Sequence, residues 1–149
     1  MTTLEGKRGD QKVGRFSVEL ELANHEDVIL AKKGIIAASK IRRVTVLGLV
    51  DTGASRLVLP QRVVTQLGLE PSGTVKVRYA DGRQVVRPTV DDVEVELLGR
   101  RSTFTASVEP RRKSALIGAL VLEDLDFLVD PLKMKLVPRD PKMIISEAE

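Results

Sequence analysis

Val46-Leu47-Gly48-Leu49-Val50-Asp51-Thr52-Gly53-Ala54-Ser55 sets an apolar run directly against one carboxylate and a turn. The run has the length of a buried strand. Thr52 and Gly53 close a tight turn within two residues of Asp51, and glycine reaches backbone angles that other residues avoid. Asp51 is therefore expected at the end of a buried strand, where a carboxylate is costly to place without compensation. A reaction is the most economical reason to keep it there.

The rest of the composition narrows the setting. A chain of 149 residues suits one domain with a sizeable core, and 42% hydrophobic content excludes a disordered chain. Aromatics make up only 3%, so the core is aliphatic, and the Val and Ile content favours strands. There are no cysteines, which excludes disulfides and Cys-based zinc sites. The single histidine, His25, cannot build a multi-histidine metal site. Net charge is +3 from 24 basic and 21 acidic residues, unlike the dense basic stripe of a nucleic-acid binder. No apolar stretch reaches membrane-spanning length, and the first residues lack the apolar core of a secretory signal. The expectation is a soluble, cytoplasmic protein with no nucleic-acid or membrane partner.

Working outward, residues 1–14 read as a mobile polar tail, in which Arg8-Gly9-Asp10 is a chance adhesion-like triplet. Phe16 to Leu22 alternates as a half-buried strand. Within Ala23 to Lys40, Val28-Ile29-Leu30 and Ile35-Ile36 fit short strands or a helix edge, with His25 an exposed loop residue. Ile41 to Val50 is the strand that delivers Asp51. Leu57-Val58-Leu59 is a further short strand, and Pro60 opens a helix through Val63, Val64 and Leu67 that stops at Gly68. Val75 to Tyr79 and Gln84 to Val86 flank Ala80-Asp81-Gly82-Arg83, a strong hairpin signal. A second hairpin joins Val93–Leu97 to Ser102–Val108, and Glu109 to Ser114 is a solvated basic loop. Ala115 to Gly118 is a strand, Ala119 to Leu125 a short helix, and Phe127–Val129 and Lys133–Val137 are strands joined through Asp130-Pro131. Residues 139–149 read as a polar tail. Glu123, Asp124 and Asp126 straddle a helix end as a solvated face, so no metal site is expected. The pattern is mostly β, with short helices and no repeat.

Carboxylate acid-base chemistry needs two groups in different protonation states. None of Asp81, Asp91, Asp92, Asp124, Asp126 and Asp130 combines an apolar run directly before it with Thr-Gly directly after it. A two-fold axis would supply a second copy of Asp51 without a second motif.

Asp51-Thr52-Gly53-Ala54-Ser55 after an apolar strand, the hairpin around Ala80 to Arg83, and Leu116-Ile117-Gly118 before a short helix together resemble the retropepsin family of dimeric aspartic proteases. The resemblance runs over roughly Val44 to Val137 and looks closest to compact cellular and bacterial members. It implies an all-β, acid-protease-like closed barrel with a hairpin flap and one or two short helices, spanning residues 15–138 with an N-terminal extension at 15–40. It implies a homodimer acting on a peptide or protein substrate, with no cofactor. Asp51 would be catalytic, with Thr52 and Gly53 holding the carboxylates coplanar. The two Asp51 copies would share one proton, because like charges at hydrogen-bond distance cannot both ionise cheaply. Ala54, Ser55, Tyr79, Ala80, Asp81, Gly82 and Arg83 would contact substrate. Lys133 to Val137 would join the dimer sheet. Retroviral members often carry an acid at the position of Ser55 and an arginine at that of Ala119, and this chain lacks that paired brace. Two rival readings keep Asp51 out of chemistry. One is a non-catalytic dimeric peptide-binding module on the same fold, and the other a small β-barrel interaction domain in which Asp51 caps a turn.

Overall fold

The computed structural model describes residues 15–149. The expectations for residues 1–14, including Arg8-Gly9-Asp10, lie outside these described residues. In chain order the elements are β1 (Phe16–Asn24), α1 (His25–Lys32), a 3-10 turn (Ala38–Lys40), β2 (Arg43–Val50), β3 (Leu57–Pro60) and α2 (Gln61–Leu67). There follow β4 (Pro71–Arg78), β5 (Gln84–Leu97), β6 (Arg100–Glu109), β7 (Ala115–Ile117), α3 (Ala119–Leu125), β8 (Phe127–Asp130) and β9 (Lys135–Pro138).

Seven strands form one sheet in the order β1-β2-β7-β3-β6-β5-β4, and a further β1–β5 pairing closes six of them into a barrel. β4 stays outside the closure as an arm on β5. The barrel interior is filled by aliphatic side chains from every wall, including Leu20, Leu22, Val50, Leu57, Val93, Leu97, Val108 and Ile117. The low aromatic content is thus met by interdigitated Val and Leu. Residues Val63, Val64 and Leu67 of α2, and Val121, Leu122 and Leu125 of α3, close the core from outside.

The strand leading to Asp51 is buried on one face only. Its side chains alternate, with Gly48 and Val50 inside and Leu47 59% exposed. A continuous apolar run therefore hid a period-2 pattern. Gln84–Val86 and Val93–Leu97 belong to a single long strand, β5, with a bulge between Val90 and Val93 and Asp92 at φ 62°. The bulge turns the strand, so its first half carries the β4 arm and its second half closes the barrel on β1.

Ala23 and Asn24 end β1, Val28-Ile29-Leu30 lies in helix α1 rather than a strand, and Ile35-Ile36 lies in the bend between α1 and the 3-10 turn. Helix α1 buries only Asp27 and is held by polar contacts instead of an apolar face. The Asn24 side chain accepts from the Asp27 backbone N–H and donates to the Leu67 carbonyl at 2.9 Å, joining the start of α1 to the end of α2. Asp27 accepts two bonds from the Arg42 guanidinium, at 2.8 and 3.0 Å, and one from its backbone N–H. His25 is not a loop residue. It opens α1, is half-buried, and meets buried Glu94 of β5 at 2.9 Å.

Strands β8 and β9 pair with each other in a separate two-stranded sheet, and β9 starts at Lys135 rather than Lys133. Within one chain, then, the segment expected in a dimer sheet forms its own hairpin. Residues 139–149 have no helix or strand, yet they are tethered. Arg139 bonds Asp126 and Glu147, and the Ile145 N–H donates to Asp126. Among the described residues, no helix is long and apolar enough to cross a membrane.

Candidate active site

Strand register builds the site. Phe16 pairs with Val50, so the next residue out on each strand, Arg15 and Asp51, meet at the barrel rim. An Arg15 Nη donates to Asp51 Oδ2 at 2.7 Å, while the Gly53 N–H donates to Oδ1 at 2.9 Å. The Asp51 side chain is 14% exposed and that of Arg15 46%. The carboxylate's burial is thus offset by one backbone donor and one half-exposed cation. Such an exposed pair contributes at most about 1 kcal/mol.

The loop after Asp51 is fixed by main-chain bonds. The Asp51 N–H donates to Ile117 O at 3.0 Å and the Ala54 N–H to Asp51 O at 3.1 Å. From the other side, the Ala119 N–H donates to Ala54 O at 2.9 Å and the Leu120 N–H to Ser55 O at 2.8 Å. These two bonds tie the first turn of α3 to the Asp51 loop at the positions where an acid and arginine brace is absent. Gly118 permits the approach, since a Cβ there would lie 2.6 Å from Arg56 O and 2.7 Å from Arg56 N. No real Cβ tolerates that contact with backbone. The apolar-apolar-Gly segment therefore packs beneath the loop that carries Asp51.

A cleft of about 870 Å³ opens at this rim. Its floor is Asp51, Gly53, Ala54 and Ser55, and the β4 arm and the start of its hairpin form one wall. At the hairpin, the Tyr79 N–H donates to Arg83 O, the Gly82 N–H donates to Tyr79 O, and Gly82 takes φ 88°. That is a three-residue loop ending in a left-handed glycine. Tyr79 and Ala80 line the cleft, whereas Asp81, Gly82 and Arg83 sit at the exposed tip outside it. Thr52 is also exposed and outside the cleft. Arg83 stacks over the Tyr79 ring at 4.4 Å and so reaches the cleft only through Tyr79.

Several participants were not legible in the sequence. Arg15 lies 36 residues from Asp51, and only the β1–β2 register brings it there. Tyr79 donates its hydroxyl proton to Glu109 at 2.5 Å and accepts from Arg87 at 3.0 Å, while Arg87 lies 3.2 Å from Glu109. The Tyr79 bond, opposed by burial and aided by the Glu109 charge, holds the Arg87 guanidinium above its ordinary range. This brace fixes the base of the hairpin to β6. Arg112, assigned to a solvated loop, is half-buried and lines the cleft, with its Nε donating to Ser114 O at 3.0 Å. Among the described residues, no group of three or more His, Cys, Asp or Glu side chains could hold a metal ion.

The family model described as gag-polyprotein putative aspartyl protease matches residues 37–131, well over half of the chain. That span contains Asp51, the hairpin and Leu116-Ile117-Gly118. Comparison with curated proteins returned no match. The protease of EIAV, solved with an inhibitor, superposes with a TM-score of 0.53 at 18% identity, over 83% of this chain and 92% of that one. The simian foamy virus protease gives a TM-score of 0.46 at 14% identity, over 72% and 91%. The EIAV likeness establishes the fold, an acid-protease barrel with few short helices. The chain belongs to the gag-polyprotein putative aspartyl protease family.

Proposed function

We propose that the protein is a homodimeric aspartic endopeptidase that hydrolyses peptide bonds with water, using Asp51 from each of two copies. One observation carries this reading. The cleft holds two carboxylates, and Glu109 is already committed to Tyr79 and Arg87. Asp51 has no carboxylate available to it within its own chain among the described residues, so symmetry is the source of a partner. Arg15 is half exposed and free to swing from Oδ2 when a second carboxylate approaches.

In the paired site one Asp51 is protonated and the other ionised. The ionised carboxylate takes a proton from water as the water oxygen bonds to the peptide carbonyl carbon. The protonated one gives its proton to the carbonyl oxygen. Collapse of the resulting diol breaks the C–N bond: the carboxyl that took the water's proton gives it to the leaving nitrogen, and the other carboxylate takes a proton from a diol hydroxyl as the carbonyl reforms, which restores the one-proton dyad. Thr52, exposed at the turn, suits a bond to the partner's loop, and Gly53 fixes its own carboxylate through its N–H. Tyr79 to Arg83 serve as the flap, which closes over substrate and excludes water. The lack of cysteine suits a reducing compartment and supports a cytoplasmic setting.

Hydrolysis of a peptide library by the wild-type chain and by Asp51→Asn tests the proposal. Loss of cleavage to background in the variant, with an unchanged melting curve, is expected. Equal cleavage by both chains would place the activity elsewhere. Specific peptide binding by a wild-type chain that never cleaves would favour the non-catalytic binding module.

A further inference from the structure

The cleft is more basic than a peptide groove requires. Besides Arg15, four cations line it from three separate segments: Arg56 before β3, Lys76 and Arg78 on β4, and Arg112 between β6 and β7. None has an acidic side chain within ion-pair distance among the described residues, whereas Asp51 is matched by Arg15 and Glu109 by Arg87. Arg56 and Arg112 are half-buried, and the Ser114 carbonyl anchors Arg112 through Nε, which orients its remaining N–H groups. Between these charges the wall is aliphatic, from Leu49, Val58, Val75, Val77 and Leu116.

We propose that this cleft selects peptides carrying a Glu or Asp side chain flanked by aliphatic ones, with Arg56 and Arg112 as the specificity-determining residues. The inference rests on the endopeptidase reading for its catalytic consequence, but not for its binding consequence. Partly desolvated guanidinium groups in a concave, low-dielectric wall raise the local concentration of anionic ligand and reward a carboxylate with forked hydrogen bonds. An aliphatic or cationic side chain at the same place leaves those donors without a partner. A nucleic-acid strand fits less well, because Tyr79 is the chain's one tyrosine, tryptophan is absent, and single-strand grooves rely on aromatic stacking.

The test uses two peptides of identical aliphatic sequence that differ by Glu against Gln. Binding is read by fluorescence anisotropy on full-length Asp51→Asn, and cleavage as kcat/KM on the wild type. The Glu peptide is expected to bind and react roughly tenfold better, as for a charge-assisted hydrogen bond. The advantage is expected to shrink as salt rises from about 0.05 to about 0.5 M, and to fall towards unity in Arg56→Gln and Arg112→Gln. The salt series on unmutated side chains keeps the inference testable if either variant folds poorly. Cleavage of both peptides at equal rate would overturn the inference and leave the endopeptidase standing. Tighter binding of the Glu peptide with no cleavage by the wild type would do the reverse. Displacement of the Glu peptide by an oligonucleotide at lower concentration than by free Glu peptide would assign the cleft to phosphate and overturn the inference.

Discussion

Ala54 is half-buried on the cleft floor next to the Asp51 turn, and its side chain has no donor. A hydroxyl at this position could bond a neighbouring carboxylate and favour its ionised form. Ala54→Ser is therefore predicted to move the acidic limb of the pH–rate profile to lower pH, by roughly half a unit to one unit if a single hydrogen bond forms. A limb that stays in place would contradict the role given to this position. At this scale the sequence was most informative about Asp51, Gly53 and Ala54, because local turn chemistry places them. It did not point to Arg15, and it put Glu109 and Arg112 in a solvated loop, whereas all three line the cleft. Their positions depend on strand register and on how a loop folds back, and neither is encoded within a few residues.

The segment Leu116-Ile117-Gly118 shows what an element contributes. Strand β7 is only three residues long, yet it pairs parallel to β2 and antiparallel to β3, and its end supports the loop bearing Asp51. Gly118→Ala would force a Cβ into the Arg56 backbone. The expected cost is about 1–3 kcal/mol, as for other over-packed core positions, with a loss of kcat larger than the stability change alone would cause. Thermal unfolding alongside steady-state kinetics checks both. A variant of normal stability and activity would show that the close approach is not needed. The helix–strand pattern of α2, β7 and α3 was readable from apolar spacing and stop signals. Helix α1 was not, because its anchor is Asp27 paired with Arg42 rather than an apolar stripe, and periodicity carries no such signal. The two halves of β5, Gln84–Val86 and Val93–Leu97, look like separate strands in the sequence because Asp91 and Asp92 interrupt the apolar pattern, whereas the chain uses those two residues as a bulge within a continuous strand.

For the molecule as a whole, two buried aspartates link stability to pH. The Arg42 side-chain bonds, opposed by burial and aided by the Arg42 backbone N–H, hold Asp27 below the usual carboxylate range. The Ile145 N–H, opposed by burial and aided by Arg139, does the same for Asp126. A depressed folded value means that each group stabilises the fold fully above the unfolded carboxylate value, near 3.9, and that the contribution is lost as pH falls through the lower folded value. The melting temperature is predicted to drop as pH falls below about 4. Asp27→Asn is predicted to be less stable at neutral pH and to show a shallower acid decline. An acid decline as steep as the wild type's would contradict the linkage. Closure of β1 on β5 and the position of the cleft follow from the whole topology, so the barrel was legible from the family resemblance and its detailed pairing only from the structure.

In the proposed endopeptidase, Asp51 is half of a catalytic site that a second copy of the chain completes. Mixing a fixed amount of wild-type chain with a tenfold excess of Asp51→Asn, at concentrations where the chain is fully dimeric, tests it most directly. Random exchange leaves most wild-type chains facing an Asn, so peptide hydrolysis should fall by about tenfold, as two-fold symmetry requires. Activity that stays equal to that of the wild-type chain alone would mean that one copy of Asp51 suffices, and would contradict the claim.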